Sequence, residues 1–202
     1  HLFDETCNTC SYSNHLTSRS PILIANKIYQ LLPFDQSHPL ALNRIMPVIG
    51  LAQSLNWLDE RQYKESSIAS VDMLARYHNI HYVEAVLSAE NNRCIPGILG
   101  KRFNLGRHGN SYFSKIFTRP ATTAGASILA GQLLADNEEG IIFSPAGGNH
   151  HAKKNQASGF CIFNDPVLGI LSMLDNGLKK VLYVDLDAHH GDGVQEAFQH
   201  DD

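Results

Sequence analysis

The chain has no apolar run approaching the roughly 18 residues needed to cross a bilayer, which excludes a helical membrane span. Cysteine is scarce: Cys7, Cys10, Cys94 and Cys161 are the only four in 202 residues, too few and too scattered for a disulfide-built scaffold. Cys7 and Cys10 have the spacing of a metal or redox pair, but no second pair accompanies them. Cys7 and Cys10 read as two reduced thiols, and the cysteine usage points to a reducing compartment, the cytoplasm. Charged residues make up only 18%, the formal net charge is -4, and no basic stripe with interleaved aromatics occurs. That balance argues against nucleic acid as a partner. No signal peptide, internal repeat, low-complexity tract or domain linker is recognisable. What remains is ordinary: 43% hydrophobic residues over 202 positions suit one globular domain, residues 1–202, with length enough for a core.

The informative residues lie near the end. Val181-Leu182-Tyr183-Val184-Asp185-Leu186-Asp187-Ala188-His189-His190-Gly191-Asp192 reads as a buried strand running into charged residues. Side chains alternate along a strand, so Asp185, Asp187 and His189 project to one side and Leu182, Val184 and Leu186 to the other. A run this apolar suits a central parallel strand covered on both faces. Two carboxylates at its end are costly to bury unless a cation joins them. A carboxylate and an imidazole two residues apart match what a zinc-type ion accepts from protein. The rival reading is a helix N-cap with surface histidines at a strand-to-helix turn.

A second cluster stands upstream. Residues 140–145 read as another short strand, followed by Ala146-Gly147-Gly148-Asn149-His150-His151-Ala152-Lys153-Lys154. Paired glycines allow a sharp turn after a strand, where α/β folds place their chemistry. A neutral imidazole there can take a proton from water, and a charged one can return it to a leaving group. Adjacent histidines alone are a weak signal; beside Asp185 and Asp192, both available as carboxylate partners, they become a strong one.

Elsewhere helices and strands alternate, as in a parallel sheet flanked by helices. Residues 22–32 are apolar and of uncertain type. Residues 40–55 have helical spacing, with Leu42, Ile45, Met46, Ile49 and Leu51 as the apolar stripe. Ser70 is a candidate N-cap for a helix over 70–77, and residues 81–87 read as another. Residues 91–118 are polar and read as a long loop. Residues 122–135 are rich in small side chains and strongly helical. Residues 165–174 form a helix capped by Asn164, with Pro166 in its first turn and Gly177 beyond its end. His78 and His81, taken alone, read as hydrogen-bonded residues rather than metal ligands.

The motifs His150-His151-Ala152-Lys153-Lys154, Ala157-Ser158-Gly159-Phe160-Cys161 with Asn164-Asp165, and Asp185 through Val194 together resemble the zinc-dependent histone deacetylase family. Their flavour is that of class I enzymes and bacterial acetoin-utilisation deacetylases. The similarity is dense from 140 to 198 and fainter from 39 to 89, where His38-Pro39, Arg44, Tyr77-His78 and His81-Tyr82 carry it. The resemblance implies an α/β, three-layer arginase/deacetylase-like fold, incomplete in this chain. It implies Asp187 and His189 as two zinc ligands, with His150 and His151 as catalytic histidines oriented by Asp185 and Asp192. It places Gly159 and Phe160 along an acyl-lysine tunnel, a potassium ion beside Asp185, and Arg44 at the floor of an acetate channel. Cys161, inside the motif, is read as packing.

The implied activity is removal of acetyl groups from N-acetyl-lysine in a protein, or from a small acetylated amine, with His151 as general base. The family's third zinc ligand and its transition-state tyrosine lie downstream of the motif, beyond Asp202. The chain also starts at His1 without methionine, so it reads as a fragment whose isolated form binds metal poorly and turns over slowly. The family's acidic substrate-contacting loop residue is not recognisable near 106–118. An arginase-like two-metal hydrolase would need an aspartate where Gly191 stands. A noncatalytic relative that binds acylated ligands is the other alternative, although the four site positions are intact. The loop Ala146-Gly147-Gly148-Asn149 lacks the prolines usual in acetylpolyamine amidohydrolases.

Overall fold

The protein is described by a computed structural model covering residues 20–31, 43–136 and 140–200. Cys7, Cys10, His38, Pro39 and Leu42 lie outside the described residues. The apolar stretch after Pro21 resolves into a strand, β1 (Ile22–Ala25), and a 3-10 turn, Lys27–Gln30. The switch falls at Asn26, whose side chain accepts from the Ile28 amide and donates to the Ser66 carbonyl. Two further short strands, β2 (Tyr63–Glu65) and β3 (Ile142–Phe143), flank β1. All pairings are parallel, in the order β2-β1-β3, with Leu23 opposite both Tyr63 and Phe143.

Seven helices accompany this sheet among the described residues: α1 (Ile45–Ser54), α2 (Val71–Leu74), α3 (Ile80–Asn92), α4 (Gly97–Phe103), α5 (Thr118–Asp136), α6 (Asp165–Asp175) and α7 (Asp192–Phe198). Their ends follow local chemistry. Ser70 caps α2 by accepting from the Met73 amide, Asn79 caps α3 through the His81 amide, and Asn164 caps α6 through the Val167 amide. The start of α5 is capped from a distance, where Glu90 of α3 accepts from the Phe117 and Thr118 amides and the Thr118 hydroxyl. A carboxylate there also suits the positive end of the helix dipole.

The main core lies between helices, not on the sheet. Tyr82 and Val86 of α3, Ala121, Ala124 and Ile128 of α5, and Val167 and Leu168 of α6 are buried there with Phe163. Tyr82, Phe103, Phe117 and Phe163 pack at tilted and edge-on angles, with centroids 5.5–6.0 Å apart. A smaller cluster under β1 unites Leu23, Ala25, Tyr29 and Ile49.

Three expectations are corrected. Residues 181–186 are not a buried strand here. They have no ladder partner among the described residues, and Leu182, Val184 and Leu186 are 88%, 64% and 93% exposed. An extended segment is a strand only when a neighbour takes its amides and carbonyls, and β3 does not. The stretch 91–118 is not one long loop, since α3 runs to Asn92 and α4 follows; its apolar positions Leu99 and Phe103 pack on the core. Of the apolar stripe proposed for α1, Ile49 alone is buried and Leu51 is 59% exposed, because the helix meets the molecule along one edge.

The Tyr82 hydroxyl, fully buried, donates to the Ile162 carbonyl at 2.7 Å, which fixes the chain just before α6. Tyr82→Phe leaves that carbonyl without its donor. The substitution should lower unfolding free energy by about 1–3 kcal/mol, read as a shifted urea midpoint with unchanged slope.

Candidate functional site

The site is built where three loops converge: residues 147–152 after β3, residues 157–161 before α6, and residues 185–191 before α7. The first is clamped from below by the start of α6. The buried Asp165 carboxylate accepts from the Gly148 amide (3.1 Å), the Asn149 amide (2.9 Å), the Asn149 side chain (2.7 Å) and the Ser127 hydroxyl (2.7 Å). Burial pushes its pKa up, and those four donors favour the charged form against that push. The neighbouring Asn164 amide donates to the carbonyls of Ala152 (2.9 Å) and His150 (3.3 Å).

His78, 2% exposed, completes the clamp from the opposite side. Its Nδ1 faces the Lys153 carbonyl at 3.0 Å, and its Nε2 faces the Asn164 amide at 3.0 Å. A carbonyl only accepts and an amide only donates, so the ring is held neutral with its proton on Nδ1. It is a structural histidine, as read from sequence. Asn164 could be read as a cap, but its hold on this loop, and the clamping by Asp165 and His78, could not.

The two adjacent histidines then diverge onto different carboxylates. His150 Nδ1 lies 2.7 Å from Asp185 Oδ2, and His151 Nδ1 lies 2.7 Å from Asp192 Oδ1. Their ring centroids are 4.2 Å apart. Each carboxylate is an acceptor, which fixes the proton on Nδ1 and leaves Nε2 of each ring as its basic nitrogen. The Tyr183 hydroxyl, then His150, hold the Asp185 carboxyl down to about 2. Burial raises Asp192, but Lys153 and then His151 outweigh it and bring it to about 2. Lys153 also reaches Glu196, with its ammonium 2.8 Å from each carboxylate. That brace from Lys153 was missed from sequence, where it was simply part of a motif.

Gly159 and Phe160 complete the opposite wall. Both have positive φ, +54° and +65°. A Cβ on Gly159 would stand 2.4 Å from the His151 ring, so only glycine lets this loop lie on the imidazole. Cys161, beside them, is buried and its thiol is pushed up to about 11 by that burial, an unreactive group. A cleft of about 940 Å³ takes in His150, His151, Gly159, Phe160, Asp187 and His189, and Arg44 also lines it.

Asp187 and His189 stand at that cleft with their side chains 52% and 78% exposed, Oδ1 and Nδ1 being 3.0 Å apart. Neighbouring ligand atoms of a tetrahedral zinc lie about 3.3 Å apart. The carboxylate–imidazole pair therefore fits one edge of such a site with little adjustment. No third His, Cys, Asp or Glu joins them among the described residues. Were a catalytic zinc held here, the pair would provide two of the three protein ligands that such an ion takes.

The parallel sheet with its loop-borne imidazole–carboxylate pairs defines a protein of the arginase/deacetylase fold. Within that group the chain belongs to the histone deacetylase family, matching the histone deacetylase domain over residues 38–202. It is 36% identical to Histone deacetylase 6 of Arabidopsis thaliana over 173 residues, covering 82% of this chain and 35% of that protein. It is 30% identical to the acetoin utilization protein AcuC of Bacillus subtilis (strain 168), covering 89% and 46%. The crystal structure of an HDAC homolog from Aquifex aeolicus aligns with a TM-score of 0.81 at 33% identity, over 89% of this chain and 48% of that one. The chain thus spans between 35% and 48% of the length of these relatives.

The clamp has a pH signature. Burial lowers the His78 pKa to about 4, below the ordinary 6.5 of an unfolded histidine. Between those values the unfolded chain takes up a proton that the folded chain refuses, so His78 costs stability as pH falls through that window. The contribution is about 1.4 kcal/mol per pH unit at most. Urea midpoints measured at pH 7 and pH 4.5 should fall more steeply for the native chain than for His78→Gln.

Proposed function

We propose that the protein is a zinc-dependent deacylase that hydrolyses N-acetyl-lysine in proteins, or a small acetylated amine, by general acid–base catalysis. The observation that carries this is the convergence of two imidazole–carboxylate pairs with an exposed carboxylate–imidazole ligand pair on one cleft. Asp187 and His189 would hold the zinc, whose chemistry is polarisation of the amide carbonyl and activation of water. A potassium ion beside Asp185 belongs to the same reading.

The chain's own residues manage the protons. His151 Nε2 takes a proton from the attacking water and afterwards returns one to the departing amine. This ring is given the transfers because its side chain is 21% exposed against 7% for His150. Asp192 keeps the His151 proton on Nδ1 and stabilises the cation that forms when Nε2 is also protonated. His150, more deeply enclosed and paired with Asp185, tunes the field around the first ring. Gly159 and Phe160 border the path of the acyl-lysine chain, and Phe160 offers it an apolar face.

The test is metal content and acetyl-lysine peptide turnover in the whole protein. About one zinc per chain is expected, lost with Asp187→Ala. His151→Ala should reduce kcat by about 10²- to 10⁴-fold, the usual share of a positioned acid–base group, with a smaller loss for His150→Ala. A whole protein without zinc or turnover that still binds acetyl-lysine peptides would instead mark an acyl-binding relative.

A further inference from the structure

The cleft opens beside a loop that the catalytic motifs do not include, residues 104–117 between α4 and α5. Two observations place the loop there. Phe113 lines the cleft itself. Gly109 lies against the Phe160 ring, where a Cβ would stand 2.6 Å from Cε1, and the buried Asn110 accepts from the Phe160 amide through Oδ1 at 2.9 Å. Phe160 is 40% exposed, so it forms the solvent end of the wall, outside the more enclosed His150 and His151. A chain entering past Phe160 therefore passes residues 107–113.

This loop belongs to a stretch of one sign. Residues 91–135 contain Arg93, Lys101, Arg102, Arg107, Lys115 and Arg119 but no Asp or Glu, in a chain whose formal net charge is -4. Arg107 and Lys115 bracket the part that meets the cleft, and both are exposed. They differ in what they face. Lys115 acts on Glu90, whose carboxylate also accepts from the Phe117 and Thr118 amides. Arg107 has its backbone pinned, since its carbonyl accepts from the Asn110 amide at 2.8 Å, and the next ring, His108, is held 2.8 Å from Asn104 Oδ1. The Arg107 guanidinium has no carboxylate partner among the described residues. A cation on a fixed backbone with no counter-ion is open to a carboxylate supplied from outside, and a guanidinium can hold one with two hydrogen bonds.

The cleft within has the same balance. Asp187 is its only carboxylate among the described residues, against Arg44 and Arg119. We propose that the loop between α4 and α5 selects substrates in which Asp or Glu stands beside the acetyl-lysine, with Arg107 as the specificity-determining residue. The proposal rests on the deacylase reading, under which Asp187 is committed to the metal and cannot attract a basic substrate. Charge of one sign at the mouth of a cleft raises the local concentration of oppositely charged ligands and disfavours like-charged ones.

The test uses the whole, metal-loaded protein and three acetyl-lysine peptides that differ only in carrying Glu, Gln or Lys on either side of the acetyl-lysine. The native protein should rank them in that order in kcat/KM, over about tenfold from end to end, through KM and not kcat, with the span shrinking at high salt. Arg107→Glu should invert the ranking and Arg107→Ala should flatten it. Lys64→Glu makes the same change of charge at an exposed position on β2 and should leave the native ranking in place. Fluorescence anisotropy with the same peptides, carrying a ketone in place of the scissile amide so that nothing is hydrolysed, should give the same order of affinity. Equal use of the three peptides, an unaltered ranking in Arg107→Glu, or an equal change in Lys64→Glu overturns the proposal and leaves the deacylase reading standing. No turnover on any peptide, with ketone peptides still ranked by charge and inverted by Arg107→Glu, overturns the deacylase reading and leaves the selectivity of the loop intact. Neither turnover nor binding overturns both.

Discussion

The buried carboxylate of Asp165 is the constraint on which the rest of the site hangs. It sits in the first turn of α6, where the helix dipole favours negative charge, and its four donors come from residues 148–149 and from Ser127 of α5. Enclosing a carboxylate is costly unless donors surround it. This one therefore ties α5, α6 and the loop after β3 into one unit. Asn164 extends the unit by one residue, capping α6 with its side-chain oxygen while its side-chain nitrogen holds the backbone on both sides of His151.

From that base, position passes outward through hydrogen bonds. The loop fixes the backbone of the two histidines; their Nδ1 atoms then meet Asp185 and Asp192 from the segment before α7 and its first turn. Each step commits one atom of a ring and leaves the opposite nitrogen as its basic one. Lys153 lies between two carboxylates, so the charge orienting His151 is itself balanced. Exposure grades from the enclosed Asp165, through His150 and His151, to the open Asp187 and His189. Rigid support beneath and accessible donors above are what a site needs to present fixed chemistry to a ligand.

Local signals were readable wherever the physics is local. Ser70, Asn164, Pro166 and Gly177 mark helix ends through hydrogen bonds and dihedral preferences within a few residues. The two clusters around His150-His151 and Asp185–Asp192 were readable because carboxylate and imidazole spacing carries chemistry. The run 181–186 was misread because apolar composition reports a capacity to be covered, and covering needs a neighbour. Helix α4 was missed for a related reason: glycines and charges obscured a short helix that is held by packing Leu99 and Phe103.

By itself the sequence determined the capping of α2 and α6 and which carboxylates and imidazoles carry chemistry suited to metal binding or proton transfer. Each of these depends on chemistry carried by a residue and its near neighbours. Only the tertiary structure decided which carboxylate faces which imidazole, that His78 is locked neutral between two loops, that Lys153 braces Asp192, and that Gly109 makes room for Phe160. Those facts join residues tens of positions apart, through hydrogen bonds and close contacts whose geometry exists only after the chain has packed.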